Sequence, residues 1–143
     1  MLQRYETFSG AIASIYHHIQ RVEREEMERY GSKGVYAQYL AILRRDPEGL
    51  TMQQLCAACD KDKAAVSRTI ADMERSGLVE RMGESVYRAR LTLTKAGRRA
   101  ADYVSERACA IVDQVGGGLT EEDRHVLYAA LATIAQRLEQ VTR

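Results

Sequence analysis

Residues 50–97 read LTMQQLCAACDKDKAAVSRTIADMERSGLVERMGESVYRARLTLTKAG, and this stretch decides the fold. Thr51 and Gln54 have capping-box spacing, in which the Thr hydroxyl and the Gln amide each accept a backbone N–H bond from the other residue. A helix is therefore predicted to start near Thr51 and to end before Asp60, which tolerates the left-handed conformation common at helix ends. Asp62 is placed to cap a second helix. Two helices joined by so short a turn predict a helix–turn–helix.

The second helix, residues 63–75, has two distinct faces. Val66, Ile70 and Met73 recur at spacings of four and three, so they form an apolar stripe that faces a core. The opposite stripe carries Ala64, Arg68, Ala71 and Arg75, with Ser67 at its flank. Two alanines beside two arginines form a low-relief face suited to a DNA groove. The alternative interpretation is that the arginines only solvate the helix.

A β-hairpin is predicted directly after this helix. Ser76 and Gly77 end the helix, and an extended segment begins at Leu78. Residues 87–93 then alternate as in a half-buried strand, after a turn at residues 83–85. One side of the strand carries Tyr87, Ala89, Leu91 and Leu93, and the other carries Arg88, Arg90 and Thr92. The hairpin would form a wing whose two arginines reach phosphates, unless they only solubilise the strand.

Three segments together resemble the multiple antibiotic resistance regulator (MarR) family. They are DKAAVSRTIADMERSGLVER at 62–81, LTLTKAG at 91–97 and LTEEDRHVLYAALATIAQRLEQ at 119–140. The likeness covers nearly the whole chain. It implies a mainly α (α+β) winged helix–turn–helix fold and a homodimeric repressor that binds double-stranded DNA. It further implies release by a small phenolic or aromatic effector or by thiol oxidation.

The resemblance and the charge pattern together select candidate DNA-binding residues. Arg68 is the expected base-edge contact, because a guanidinium can bond guanine O6 and N7 together. The full set is Thr51, Lys61, Lys63, Ala64, Ser67, Arg68, Arg75, Arg88 and Arg90. The chain departs from the family at Ala64 and Ala65, where Ser and Thr are frequent. Its short wing has Ser85, Val86 and Tyr87 in place of the family's acidic-then-Arg tip.

The terminal segments are predicted helices with narrow apolar seams. The first runs over residues 3–30, and a later one over residues 95–115 ends at Gly116–Gly118. Thr120 caps the last helix, with Asp123 three residues on. The resemblance implies that the terminal helices intertwine in a homodimer; the alternative is packing within one chain. The expected dimerisation residues are Phe8, Ile12, Ile15, Leu127, Leu131, Ile134 and Leu138.

At 143 residues, the chain is predicted to form a single domain, 1–143. A winged DNA-binding region spans 35–94, and a helical dimerisation region comprises 3–34 and 95–143. The net charge is only +1, but residues 60–99 hold ten Lys and Arg against six Asp and Glu. This local basic excess coincides with the helix–turn–helix and the wing, as a nucleic-acid footprint would.

A two-fold dimer would read two half-sites about 34 Å apart, so the operator should be pseudo-palindromic. In the family, effectors bind between the terminal helices and the winged region. The first helix and a predicted helix over residues 34–45 supply aromatic candidates for that pocket, which are otherwise core residues with a polar tip. These candidates are Tyr16, His18, Tyr36 and Tyr39.

Cys56 and Cys59 form a C-x-x-C pair, which in another context would indicate a redox motif or half a zinc site. Both fall inside the first helix of the helix–turn–helix, so small buried apolar residues are the preferred interpretation. Two alternatives stay open: a thiol-based redox sensor that uses Cys56 and Cys59, and a winged protein-interaction module without DNA binding. The three histidines lack metal-ligand spacing, and no catalytic motif is present, so no cofactor, metal or enzyme activity is expected.

The N-terminus, MLQRYE, lacks the basic start and apolar core of a signal peptide. No apolar run approaches transmembrane length. A cytoplasmic protein without membrane contact is therefore expected.

Overall fold

The computed structural model describes residues 1–83 and 88–142. In chain order the elements are α1 (Leu2–Arg29), α2 (Tyr36–Arg45), α3 (Met52–Cys59), α4 (Lys63–Arg75), β1 (Val79–Met82), β2 (Arg90–Leu93), α5 (Lys95–Val115) and α6 (Glu121–Val141). The mainly helical fold with one small antiparallel sheet confirms the predicted winged helix–turn–helix class. The chain divides into two compact units, Met1–Cys109 and Ala110–Arg143.

The local signals around the helix–turn–helix are confirmed residue by residue. Thr51 caps α3 in a complete capping box, with its Oγ1 accepting from Gln54 N at 3.2 Å and Gln54 Oε1 accepting from Thr51 N at 2.9 Å. Asp60 follows α3 with a φ of 50°, in the left-handed region. Asp62 Oδ1 then accepts from Ala65 N at 2.9 Å and caps α4. The turn is thus fixed by backbone capping on both sides.

The core of the Met1–Cys109 unit is formed by all five of its helices and by both strands. Val66, Ile70 and Met73 of α4 are fully buried, as their spacing predicts. The other members are Met27, Tyr36, Ala37, Tyr39, Leu40, Leu43, Leu55, Cys59, Leu78, Val79, Leu91, Ala100, Ala101 and Val104. Because α4 buries its apolar stripe here, its opposite face is turned away from this core.

The two strands pair with Val79 opposite Leu93 and Met82 opposite Arg90. Leu50 adds an isolated bridge to Leu91, which ties the segment before α3 to the sheet. The strand predicted over residues 87–93 is shorter than expected, since β2 begins at Arg90. Of the predicted strand and wing tip, residues 84–87 lie outside the described residues.

Two helix boundaries differ from the prediction. Helix α1 is shifted by one residue at each end, which is ordinary fraying. Helix α2 begins at Tyr36 instead of Gly34, with Val35 as its N-cap. A Cβ on Gly34 would lie 2.8 Å from Glu28 Oε1 and 3.3 Å from Arg24 O, so the chain at Gly34 is packed closely against α1 before the helix starts.

The start of α5 is held against the turn between α4 and β1. A Cβ on Gly97 would lie 2.0 Å from the carbonyl oxygen of Leu78, so only glycine fits at this position. Thr94 Oγ1 donates to Gly77 O at 2.6 Å and accepts from Gly97 N at 3.0 Å. These contacts fix the exit from the wing into α5.

The Ala110–Arg143 unit contains the end of α5 and helix α6. The predicted Thr120–Asp123 capping box is present at the start of α6. Arg124 Nη2 donates to Gly116 O at 3.0 Å and so braces the glycine turn. None of the residues of α6 is buried. Across residues 1–83 and 88–142, no helix has both the length and the apolar character needed to cross a bilayer.

Candidate nucleic-acid interface

The outward face of α4 carries the residues predicted to read DNA. Lys63, Ala64, Arg68 and Arg75 are exposed, and Ser67 is half-buried at the flank. The hydrophobic contacts of Val66, Ile70 and Met73 hold the other side of the helix in the core. A rigid helix therefore presents cations and small side chains on one accessible face, as a groove-reading helix requires.

The two arginines of this face differ in how they are held. Arg75 Nη2 contacts Asp72 Oδ1 at 3.4 Å, and its side chain is 73% exposed. Within residues 1–83 and 88–142, no ion pair or hydrogen bond involves the Arg68 guanidinium. Its exposed guanidinium can therefore offer N–H donors to a ligand, in the fork geometry that matches the edge of guanine.

Lys61 and Thr51 flank α4 at the turn and at the start of α3. Lys61 is exposed, with its Nζ 5.3 Å from the centre of the Tyr39 ring, so a cation–π contact orients it. The Thr51 hydroxyl oxygen accepts the capping bond. Its own O–H remains able to donate to a phosphate oxygen.

The two predicted wing arginines are also held differently. Arg88 is exposed at the turn before β2. Arg90 Nη1 donates to the carbonyl oxygen of Gly49 at 2.9 Å, which commits part of its guanidinium to the protein. This bond leaves Arg90 fewer N–H donors for a phosphate than an unbonded arginine would have.

Arg81 is a cation at this surface that the sequence analysis did not select. Its Nη2 and Nε contact Glu74 Oε1 at 2.9 and 3.0 Å, so the guanidinium is held by a two-point ion pair. Arg81 lines a cavity of about 670 Å³ together with three predicted residues, Thr51, Lys63 and Ser67. No local pattern links residues 74 and 81, because their approach depends on the α4–β1 turn.

The predicted effector residues are not brought together. Tyr36 and Tyr39 are each 1% exposed and belong to the core, whereas Tyr16 and His18 are exposed on α1. Of the four, Tyr16 alone lines a second cavity of about 430 Å³, whose wall includes Glu23, Arg24, Val35 and Lys61. Burial raises the pKa of the Glu23 carboxyl, while Arg45 opposes that shift.

The C-x-x-C pair lies in α3, with its two thiols in different surroundings. Cys59 is buried in the core, and this burial raises the pKa of its thiol, with Lys61 opposing. A buried thiol with a raised pKa is a poor nucleophile at neutral pH. Cys56 is half-buried at the edge of the 670 Å³ cavity. In the described part of the chain, no group of three or more His, Cys, Asp and Glu residues could hold a metal ion.

The apolar residues predicted to form the dimer are largely solvent-exposed in the single chain. Leu131 is half-buried. The exposed ones are Phe8, Ile12, Ile15, Leu127, Ile134 and Leu138.

Comparison with known proteins agrees with the sequence resemblance. Residues 30–90, which run from the end of α1 to the start of β2, match the MarR family model. The matched segment contains α2, the helix–turn–helix and β1, so the likeness to the MarR family centres on the winged region. No similar sequence was found among curated proteins. The MarR family and the matching solved structures are transcription regulators, not enzymes.

Solved structures of MarR regulators share the fold. A MarR-family regulator from Silicibacter pomeroyi is 26% identical with a TM-score of 0.73, over 87% of this chain and 84% of that chain. A MarR regulator from Methanosarcina mazei is 20% identical with a TM-score of 0.79, over 95% and 92%. A Listeria monocytogenes MarR-family regulator complexed with 26mer DNA is 18% identical with a TM-score of 0.74, over 90% and 86%.

Proposed function

We propose that this chain is a MarR-family regulator of transcription that binds specific sequences of double-stranded DNA as a homodimer. In this proposal it represses its target genes and is released by a small-molecule effector. The observation that carries the proposal is the two-sided character of α4. One side is fully buried in the core, and the other presents Arg68, Lys63 and Ala64 to solvent. A helix anchored in this way can enter the major groove without unfolding its support.

Arg68 is the proposed base-reading residue. It lies mid-helix, is exposed, and makes no ion pair or hydrogen bond through its guanidinium within residues 1–83 and 88–142. Ala64, one turn earlier, keeps the helix surface low enough for close approach to the base edges. Ser67 and Arg75 extend the contact to either side, toward bases and phosphates respectively.

The remaining cations are proposed to neutralise phosphates. Lys61 and Lys63 are exposed at the turn and at the start of α4, and Arg88 is exposed beside the sheet. Arg81 lines the same cavity as Lys63 and Ser67, but its ion pair with Glu74 compensates its charge, so it is not counted among them. Contacts with phosphates fix the register on the duplex and make affinity strongly salt-dependent.

A homodimer is proposed because two helices present apolar seams that this chain leaves exposed. Ile134 and Leu138 of α6 are 36% and 52% exposed, and Ile12 of α1 is 39% exposed. Soluble proteins seldom leave such continuous apolar surface uncovered, and a two-fold interface would cover the same face of both copies. Two α4 helices would then read a pseudo-palindromic operator.

The effector is proposed to be a small aromatic acid bound in the 430 Å³ cavity. Tyr16 offers a ring, and Arg24 and Lys61 offer cations for a carboxylate, in a wall that also contains Glu23, Glu28 and Asp60. Because the cavity wall joins α1 to the start of α2 and to the turn before α4, a ligand with different affinity for two arrangements would alter DNA binding. Titration of hydroxybenzoic acids against the DNA complex tests this, and a Tyr16→Ala variant should be less sensitive.

Fluorescence anisotropy with a duplex selected from a random library and with an unrelated duplex tests the DNA-binding proposal. Arg68→Ala should lose about 1–3 kcal/mol of preference per half-site. Arg88→Ala should weaken both duplexes alike and flatten the salt dependence. Arg21→Ala, which removes a 63%-exposed cation from α1, is the matched control and should leave both affinities unchanged. Equal binding of both duplexes by the unmodified protein would refute sequence-specific recognition.

A further inference from the structure

Asp72 of α4 accepts hydrogen bonds from a segment that lies outside the helix–turn–helix. Its Oδ2 accepts from Lys33 Nζ at 2.6 Å and also from the buried Tyr36 hydroxyl. Its Oδ1 is 3.4 Å from Arg75 Nη2. The Asp72 side chain is 31% exposed, so these partners hold it at the edge of the core. A single carboxylate therefore connects α4 to the start of α2.

The same segment is held on its other side by α1. Gly34 lies between Lys33 and Tyr36 in the chain, and it packs so closely on α1 that a Cβ would meet Glu28 and the carbonyl oxygen of Arg24. The segment 33–36 is thus fixed between α1 and Asp72. Any rotation of α4 about its axis must break or stretch the two bonds to Asp72 Oδ2.

We propose that Asp72 is a positioning residue that sets the rotation of α4, and thereby the direction in which Arg68 projects. The inference rests on the proposed DNA-binding function. The apolar contacts of α4 decide which face is buried, and the bonds to Asp72 add a directional constraint on the rotation angle. A rotation of about 20° moves an atom about 6 Å from the helix axis by about 2 Å. That displacement would break a bidentate bond to guanine, since hydrogen-bond distances vary over only about 0.5 Å.

Four variants test the proposal by anisotropy, with the ratio of selected-duplex to random-duplex affinity as the readout. Asp72→Asn and Lys33→Ala change the charge in opposite directions, so they should shift random-duplex affinity oppositely. Both should nevertheless lower the ratio, by about three- to tenfold. Tyr36→Phe, which changes no charge, should also lower it. Lys33→Arg keeps a donor and should restore the ratio.

Matched controls separate positioning from general stability and charge. Arg21→Ala removes a cation with the same exposure as Lys33, also paired to a carboxylate, but from α1. It should leave the ratio unchanged. Lys33→Ala alters a largely exposed side chain, so the variant is expected to fold. A thermal unfolding midpoint close to that of the unmodified protein verifies this.

Double substitution gives the sharpest outcome. If Lys33 and Asp72 act through one bond, breaking it twice has no added effect. The ratio of selected-duplex to random-duplex affinity in Lys33→Ala/Asp72→Asn should then equal the lower of the two ratios measured for the single variants. Multiplicative losses, or an unchanged ratio in folded Asp72→Asn and Lys33→Ala, would overturn the positioning role. A lack of duplex preference in the unmodified protein would overturn the proposed function itself, which distinguishes the two failures.

Discussion

Helices α4 and α6 have apolar residues at similar spacing, but these residues are buried in α4 and largely exposed in α6. The spacing of Val66, Ile70 and Met73 in α4 matches that of Leu127, Leu131 and Ile134 in α6. The α4 residues are fully buried within their own chain, whereas no residue of α6 is buried. An apolar stripe therefore predicts that a helix has a packing partner, but not whether the partner belongs to the same chain. We call the buried α4 stripe (Val66, Ile70 and Met73) the closed face and the largely exposed α6 stripe (Leu127, Leu131, Ile134 and Leu138) the open face.

The largest expected effect is the loss of dimer stability when charged side chains are placed on the open face. Ile134→Glu with Leu138→Glu should leave the monomer folded, because neither side chain is buried in it. The dimer should be weakened by about 3 kcal/mol or more, since each substitution occurs twice at a two-fold interface. Sedimentation velocity over a concentration series measures the shift, and operator affinity should fall with it. An unchanged sedimentation coefficient would show that this face is not the dimer interface.

Within the Met1–Cys109 unit, the largest loss of folding stability is expected from a substitution at Gly97. A Cβ there would lie 2.0 Å from the Leu78 carbonyl oxygen, which is backbone and cannot rotate away. Gly97→Ala should lower the free energy of unfolding by about 1–3 kcal/mol, measured by urea denaturation. Gly10→Ala is the matched control, since nothing lies within 4 Å of its Cβ position in α1.

Gly10→Ala should stabilise by about 0.5–1 kcal/mol through helix propensity. If Gly10→Ala instead lowers the free energy of unfolding, and this loss grows with protein concentration, then Gly10 lies against a second copy of the chain. The dimer interface would then include this part of α1. If Gly97→Ala has no effect, the contact between α5 and the Leu78 backbone is not needed for stability.

Two capping boxes allow the two regions to be compared with the same substitution. Thr51 caps α3, which packs into the core, and Thr120 caps α6, which has no fully buried residue. Thr51→Ala should cost about 1 kcal/mol of unfolding free energy. Thr120→Ala should cost less in the monomer, where α6 can fray without exposing a core. Hydrogen exchange of the first-turn amides checks this, and equal losses of protection would contradict the distinction.

The sequence predicted the winged region most accurately where local chemistry decides the structure. The Thr51 capping box, the left-handed Asp60 and the Asp62 cap all depend on residues within four positions of one another. Local rules can describe such features because each bond closes a short loop of chain.

The candidate site was less predictable where distant residues meet. The bonds of Asp72 with Lys33 and Tyr36 span 39 and 36 residues, and the bond of Arg90 with Gly49 spans 41. Nothing in the local pattern marks Asp72 as different from any polar residue on a solvated helix. The same holds for Tyr36 and Tyr39, whose aromatic character fits a pocket wall as well as the core they occupy.

The smallest effect is expected from the pH dependence of Asp72, because its carboxylate is partly solvated. Hydrogen bonds from Lys33 and then from Tyr36 lower the pKa of this carboxyl from 3.8 to about 2. A lowered pKa means that the charged form stabilises the folded state. Its contribution should therefore be complete above pH 3.8 and should disappear as the pH falls toward 2.

The measurement is urea unfolding of the unmodified protein and of Asp72→Asn at steps between pH 5 and pH 2. The difference in free energy of unfolding between the two proteins should be constant near pH 5 and should become smaller as the pH falls toward 2. Asp123, whose pKa is lowered by its bonds to Thr120, titrates in both proteins, so its contribution cancels in the difference. A difference that does not vary with pH would mean that Asp72 acts through shape and not through charge.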